Sequence, residues 1–233
     1  MMVGKDVSDI SVKVPEDAYD TGKHIPTFSA YLTAIVRDST GRVVRVHRQR
    51  SHSPTANFMG LLLPLNWYLS TGQAFTLTNT SDGTCSYQPN LNYSTYCISY
   101  PNDNNNFQTY LVMIQVGSGT QSNPYSAYSL ASPIANGSGT GQLVYGAPSV
   151  SNTAAVSGSS TYFIIEQTFS NQTSSTIDIT EAGIIVSVQT TCAHCSGSTN
   201  CGQLLVWYDT LSSAISVSAG GSVTIAYTFT VNP

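Results

Sequence analysis

Charge is what this chain has least of. Eight Lys and Arg with twelve Asp and Glu make up 9% of 233 residues, where ordinary soluble domains carry roughly 25%. Hydrophobic residues at 41% still supply a core, so the low-hydrophobicity, high-charge composition of disordered chains is excluded. Lys and Arg are absent beyond position 50: Lys5, Lys13, Lys23, Arg37, Arg42, Arg45, Arg48 and Arg50 are the whole set. Six acids accompany them in the first fifty residues and six more follow, so a slightly basic head precedes an acidic body. Without cations to set against phosphate, residues 51–233 are a poor nucleic-acid surface.

Long apolar runs are missing too. The best, from Phe58 to Leu69, is broken by Pro64 and Asn66 and falls short of the roughly 18–20 residues of a membrane span. Residues 5–24 carry charge where a secretory leader needs an apolar stretch, so no leader is expected there. No GxSxG occurs, and His24, His47, His52 and His194 have no recognisable nucleophile near them in sequence. Glu166 and Glu181 could face one another from adjacent strands as a carboxylate pair, but lone acids on a sheet are normally solvated. No catalytic residue is assigned, and the chain reads as non-enzymatic. Gly117-Ser-Gly119 and Gly137-Ser-Gly-Thr-Gly141 lack a following helix and a P-loop Lys, so they read as flexible surface loops rather than nucleotide sites.

What is present is a series of short β patterns. Residues 1–24 form an expected extended arm in which Ile10, Val12 and Val14 alternate with polar residues. Residues 28–37 and 42–48 flank Asp38-Ser-Thr-Gly41, a hairpin turn. Ser53 as N-cap with Pro54 at the first helical position predicts one short helix through Ala56–Leu63. Further strands are expected at 73–78, 109–116, 161–170, 175–188, 203–209 and 213–231, the last broken at Ala219-Gly-Gly-Ser222. Polar insertions at 79–108 and 117–160 separate them. The expectation is an all-β, antiparallel, jelly-roll-like β-sandwich over residues 25–233, with one short helix and long polar loops.

Cysteines offer the clearest chemistry. Cys85 and Cys97 can bridge within one polar loop, for about 2–3 kcal/mol by chain entropy. Cys192, His194, Cys195 and Cys201 resemble a three-Cys, one-His zinc set. His194 lies between two of the thiols, however, and would have to fold back onto the same ion. The competing reading is a disulfide from Cys201 to Cys192 or Cys195, with no cofactor. Arg37, Arg42, Arg45, Arg48 and Arg50, with His47 and His52, concentrate positive charge on the hairpin; contact with an acidic neighbouring subunit is the economical explanation. Sequons at Asn79, Asn92, Asn136 and Asn171 fall in expected loops and are glycosylation candidates. Many of the fourteen tyrosines do as well, which suits an interface or a sugar-binding surface.

The segments Val46-His-Arg-Gln-Arg-Ser-His-Ser53, Ala56–Leu63, Ile114-Gln-Val-Gly-Ser-Gly-Thr120, Gly141-Gln-Leu-Val-Tyr145, Ile177-Asp-Ile-Thr-Glu-Ala-Gly-Ile184, Gln203-Leu-Leu-Val-Trp-Tyr-Asp209 and Val217–Phe229 occur in an order that resembles virion structural proteins of archaeal viruses and bacteriophages. These are β-sandwich proteins of capsids and tails. The resemblance spans residues 28–233 and implies self-assembly rather than turnover, with further copies and other virion proteins as partners and a host-surface glycan as an outer contact. The arm residues Ile10, Val12 and Val14 and the hairpin arginines would make the subunit contacts. A surface filament or adhesin subunit of a thermophilic archaeon, and a carbohydrate-binding module, are the alternative readings. The cysteine-bearing loops depart from the viral pattern.

Overall fold

The computed structural model describes residues 27–51, 53–62, 75–78, 80–81, 84–87, 112–151, 155–157, 160–189 and 200–232. The arm, with Ile10, Val12 and Val14, lies outside them. β1 (Thr27–Arg37) and β2 (Val43–Ser51) form the expected hairpin. Its turn is organised by Asp38, whose Oδ1 accepts from the backbone N–H of Thr40 at 3.0 Å and of Arg42 at 3.1 Å. Gly41 closes it at a φ of +83°, a left-handed conformation that a side chain resists.

The remaining strands are β3 (Phe75–Thr78), β4 (Thr84–Tyr87), β5 (Val112–Gly117), β6 (Val144–Tyr145), β7 (Ser149–Val150), β8 (Ala155–Ser157), β9 (Ser160–Ser170), β10 (Ile177–Gln189), β11 (Asn200–Val217) and β12 (Ser222–Asn232), with one short helix, α1 (Ala56–Leu62). The larger sheet runs β2-β1-β12-β9-β6, with β7 and β8 also on the β9 edge, and the smaller runs β11-β10-β5. Both sheets are antiparallel, and the fold is the expected all-β, sandwich-like class. Alternation fixes which side of each strand meets the other sheet. Leu32, Ala34 and Val36 of β1 and Val223, Ile225 and Tyr227 of β12 point inward, against Ile114, Ile179, Leu204 and Ile215 of the smaller sheet. Each such buried Val, Leu or Ile contributes about 1.5–3 kcal/mol relative to exposure.

Three local expectations change. Pro54 is not the first residue of the helix, because Ser53 to Thr55 runs extended along β11. Ser53 O accepts from Tyr208 N at 3.0 Å and Thr55 N donates to Val206 O at 3.1 Å. Pro54, with no N–H to satisfy, sits opposite Trp207. The helix begins at Ala56, two residues after Pro54, with Thr55 O accepting from the N–H of Phe58.

The two strands expected at 203–209 and 213–217 are one, β11. Its register against β10 passes from Thr210 opposite Glu181 to Ile215 opposite Ile179, so extra residues bulge out between them.

The third change concerns 117–160, read as a projecting insertion with flexible glycine loops. Residues 118–146 instead pack closely. Ile134 N donates to Val116 O, extending the smaller sheet beyond β5, and Leu143 lies fully buried beside β9. Leu130 and Ala127 cover Ile185, Leu205 and Tyr208 on the outer face of the smaller sheet. Around Ala182–Ile185 and Leu204–Tyr208 that sheet is therefore buried on both faces, which explains the unbroken apolar runs there.

Candidate functional site

Two clusters of polar groups stand out, one internal and one external. The internal cluster centres on Glu181, which is 0% exposed on the covered face of the smaller sheet. Its Oε1 accepts from the backbone N–H of Ser132 at 2.7 Å and of Gly119 at 3.1 Å. Its Oε2 accepts from Ala131 N at 2.9 Å and from the Tyr208 hydroxyl at 2.9 Å. Every donor in this set points at one carboxylate, which suits an acceptor-only group removed from water. Burial raises the Tyr208 hydroxyl above its ordinary pKa. Gly117 and Gly119 allow the approach, since a Cβ on either would collide with Glu181 or with the backbone of Ser132. The cluster ties residues 118–132 to β10 and leaves no donor directed at a ligand.

Glu166 and Glu181 therefore do not face one another as a carboxylate pair, and Glu181 is not the solvated acid its place on a sheet suggested. Glu166 is exposed on the outer face of the larger sheet, and Glu181 belongs to the other sheet. Nor are the acids beyond residue 50 a uniformly solvated body. Asp209 is also buried, accepting from the Ser51 hydroxyl, which in turn accepts from Trp207 Nε1. The alternation of β10 shifts phase near Thr180, which hid the setting of Glu181. The run Ala182-Gly-Ile-Ile-Val186, with no polar residue in either phase, was the signal that a strand covered on both faces begins there.

The external cluster is the outer side of β1 and β2. His47 and Ser51 are buried, so Val44, Val46, Arg48 and Arg50 occupy the opposite, exposed phase of β2. Val44 is 52% and Val46 61% exposed. β2 is the terminal strand of its sheet, and no described strand pairs with its far side. The five hairpin arginines separate by role. Arg42 forms an ion pair with Asp38 at 3.2 Å inside the turn, and Arg37 donates to Gly41 O. Arg45 reaches across to the β11 bulge, donating to Ala214 O at 2.8 Å and to Ser213 Oγ at 2.7 Å. Gln49 reinforces that crossing by donating to Thr210 O and accepting from Ser212 N. Arg48 lies over the Tyr31 ring, 4.5 Å from its centroid. Arg50 stays exposed beside a cleft of about 250 Å³ lined also by Phe28, Phe58 and Trp207. Trp207 is no free platform for a sugar, because the rings of Phe58 and Phe229 pack edge-on against it at 5.6 and 5.0 Å.

Of the glycosylation candidates, Asn136 is exposed, with Oδ1 accepting from Tyr145 N. Asn171 is 1% exposed and is withdrawn as a candidate. Its Nδ2 donates to Ser175 O and Val217 O, both at 2.8 Å, so the nitrogen a glycan would occupy is already engaged. Asn79 and Asn92 lie outside the described residues, as do Cys97, Cys192, His194 and Cys195. Cys85 and Cys201 enter only as backbone, in β4 and β11. No cluster of three or more metal-ligating side chains occurs among the described residues. No described helix is long and apolar enough to cross a membrane. No family model matches the chain, and neither a curated protein nor a solved structure matches it.

Proposed function

We propose that this chain is a non-enzymatic structural protein that assembles through subunit contacts into or onto a viral capsid or tail. The observation that carries the reading is the free edge at β2, where a nine-residue strand leaves its far side unpaired among the described strands and shows Val43, Val44 and Val46 to solvent. An edge of this kind is a template for a strand from another chain. The alternation of Ile10, Val12 and Val14 in residues 1–24 suits them as the donated strand. The resemblance of the ordered segments to virion structural proteins supports a virion as the setting of that assembly. An extracellular filament subunit would use the same edge and arm, and the two differ in where the protein is found.

The test is to compare the full chain with a variant lacking residues 1–24, using light scattering and negative-stain microscopy. The full chain should form particles or fibres larger than a dimer, and the truncated chain should keep its β-sheet circular dichroism while stopping at a dimer or below. A full chain that stays monomeric at high concentration, or assembly undiminished by the truncation, overturns the proposal. Antibody labelling of virions from the native source decides virion against filament.

A further inference from the structure

On the outer face of the larger sheet, Arg48 and Glu166 lie in one transverse row, with Arg50 one row away beside Tyr31. The registers place Arg48 of β2 beside Thr33 of β1, Thr33 beside Ala226 of β12, and Ala226 beside Glu166 of β9. Arg48 and Glu166 are both exposed on that face. Three inter-strand steps separate them, about 14 Å at the usual strand spacing, too far for a pair within one chain. The positions between them are small, and Arg48 is held down against the face by its stacking on Tyr31.

From this we infer that the outer face binds the same face of a second copy around a two-fold axis, the inference resting on the assembly reading above. Let the axis run parallel to the strands, between β1 and β12. It then lays β2 of each copy over β9 of the other and β1 over β12. Arg48 of each subunit meets Glu166 of the other, so the pairing is made twice. Thr33 and Ala226 lie nearest the axis, where side chains must be small for two sheets to approach about 10 Å apart. In the adjacent row, Ile35 opposes Thr224 and the exposed Val46 opposes Thr168, so apolar side chains of the basic half cover hydroxyl-bearing positions of the other half. The stacked guanidinium has already lost much of its rotamer freedom, which lowers the entropy cost of a charge pair. Arg48 at one side and Glu166 at the other are thus the matching halves of a self-complementary surface.

The geometry makes a sharp demand on charge reversal. In Glu166→Arg both cross-axis pairs become Arg against Arg, and in Arg48→Glu both become Glu against Glu. Mixing the two variants restores both pairs in a heterodimer. The full-length wild type, each variant and the equimolar mixture are compared by sedimentation in low salt, with circular dichroism and melting to confirm the fold of each. The truncated chain that lacks residues 1–24 is run in parallel. We expect a wild-type dimer in the truncated background, dimer affinity reduced tenfold or more in each variant alone, and recovery to within a few-fold of wild type in the mixture. Variants that dimerise like wild type, or a mixture no better than its components, overturn the face-to-face inference while leaving edge assembly of the full chain standing. A wild-type chain monomeric in every background overturns both.

Discussion

The Tyr208 hydroxyl donates to Glu181 Oε2 at 2.9 Å while its oxygen accepts from Gln121 N at 2.8 Å. With the three backbone donors on Glu181, this makes one buried carboxylate the anchor of a long covering segment. Glu181→Gln keeps one oxygen but turns an NH2 group toward donors that need an acceptor. The expected cost is about 1–3 kcal/mol of unfolding free energy, and Glu181→Ala should cost more by leaving backbone donors unpaired. The exposed acid Asp178, also on β10, which accepts from Ser216 Oγ on the neighbouring β11, is the control. Asp178→Asn should change stability by less than about 0.5 kcal/mol. Urea unfolding compares them, and equal effects at the two acids would refute the anchoring role.

Gly119 belongs to the same unit. A Cβ there would lie 2.7 Å from Ala131 Cβ, 2.8 Å from Ser132 N and 2.9 Å from Glu181 Oε1. Gly119→Ala should therefore cost about 1–3 kcal/mol through overpacking. Its effect should also be strongly non-additive with Glu181→Gln, because each substitution loosens the packing that the other disturbs. A double-mutant cycle in urea measures the coupling; strictly additive effects would show that the glycine and the carboxylate act separately.

How much of this could be read in the sequence depends on what covers each strand. The β1–β2 hairpin was legible because Asp38 and Gly41 are local turn chemistry, and β12 because Val223, Ile225 and Tyr227 alternate with Thr224, Ala226 and Thr228 on a sheet with one covered face. The 117–160 segment was not legible. Its serines and glycines look like a projecting loop, yet their placement depends on a carboxylate 49 to 62 positions away in β10. Pro54 was misread for a related reason. A proline before an apolar run fits a helix start or an extended segment, and the choice is made by hydrogen bonds to Val206 and Tyr208 on β11, which are tertiary contacts. The sorting of the arginines into turn, clamp and outer-face roles likewise required the β11 bulge, which alternation alone does not announce.

Burial holds three tyrosines away from their ordinary titration. Tyr145 and Tyr227 are pushed above the usual range chiefly by desolvation, Tyr227 also by the Asp209 carboxylate, and Tyr208 moves in the same direction. A hydroxyl whose pKa is raised by folding keeps its proton more tightly in the native state. Its contribution to stability is complete below the unfolded pKa of about 10 and is lost as pH rises above that value. Stability should hold level approaching pH 10 and then fall, with the tyrosinate absorbance of these residues appearing only as circular dichroism reports unfolding. Ionisation of all fourteen tyrosines in one step while the sheet signal is intact would contradict the buried assignment.

Asn171 joins the two sheets at the end opposite Thr27 of β1 and Asn232 of β12. Its side chain donates to Ser175 O and Val217 O, accepts from Thr173 N at 3.0 Å and from Thr173 Oγ1 at 2.7 Å, and its backbone exchanges bonds with Gly220 and Gly221 in the turn before β12. Asn171→Asp replaces the donating nitrogen with an oxygen that faces two carbonyls. The variant should lose about 1–3 kcal/mol at neutral pH. It should regain part of that loss on acidification, since a protonated carboxyl can donate to one of those carbonyls while the ionised form cannot. The wild type should show no such recovery at this site, so the difference between the two pH profiles of chemical unfolding isolates it. The same engagement of Nδ2 predicts that folded protein secreted from a glycosylating host carries no glycan at Asn171, although its sequon is intact, and peptide mapping by mass spectrometry reads this directly. A glycan found there on material with the native circular dichroism and melting temperature would mean that the amide is not held between Ser175 and Val217.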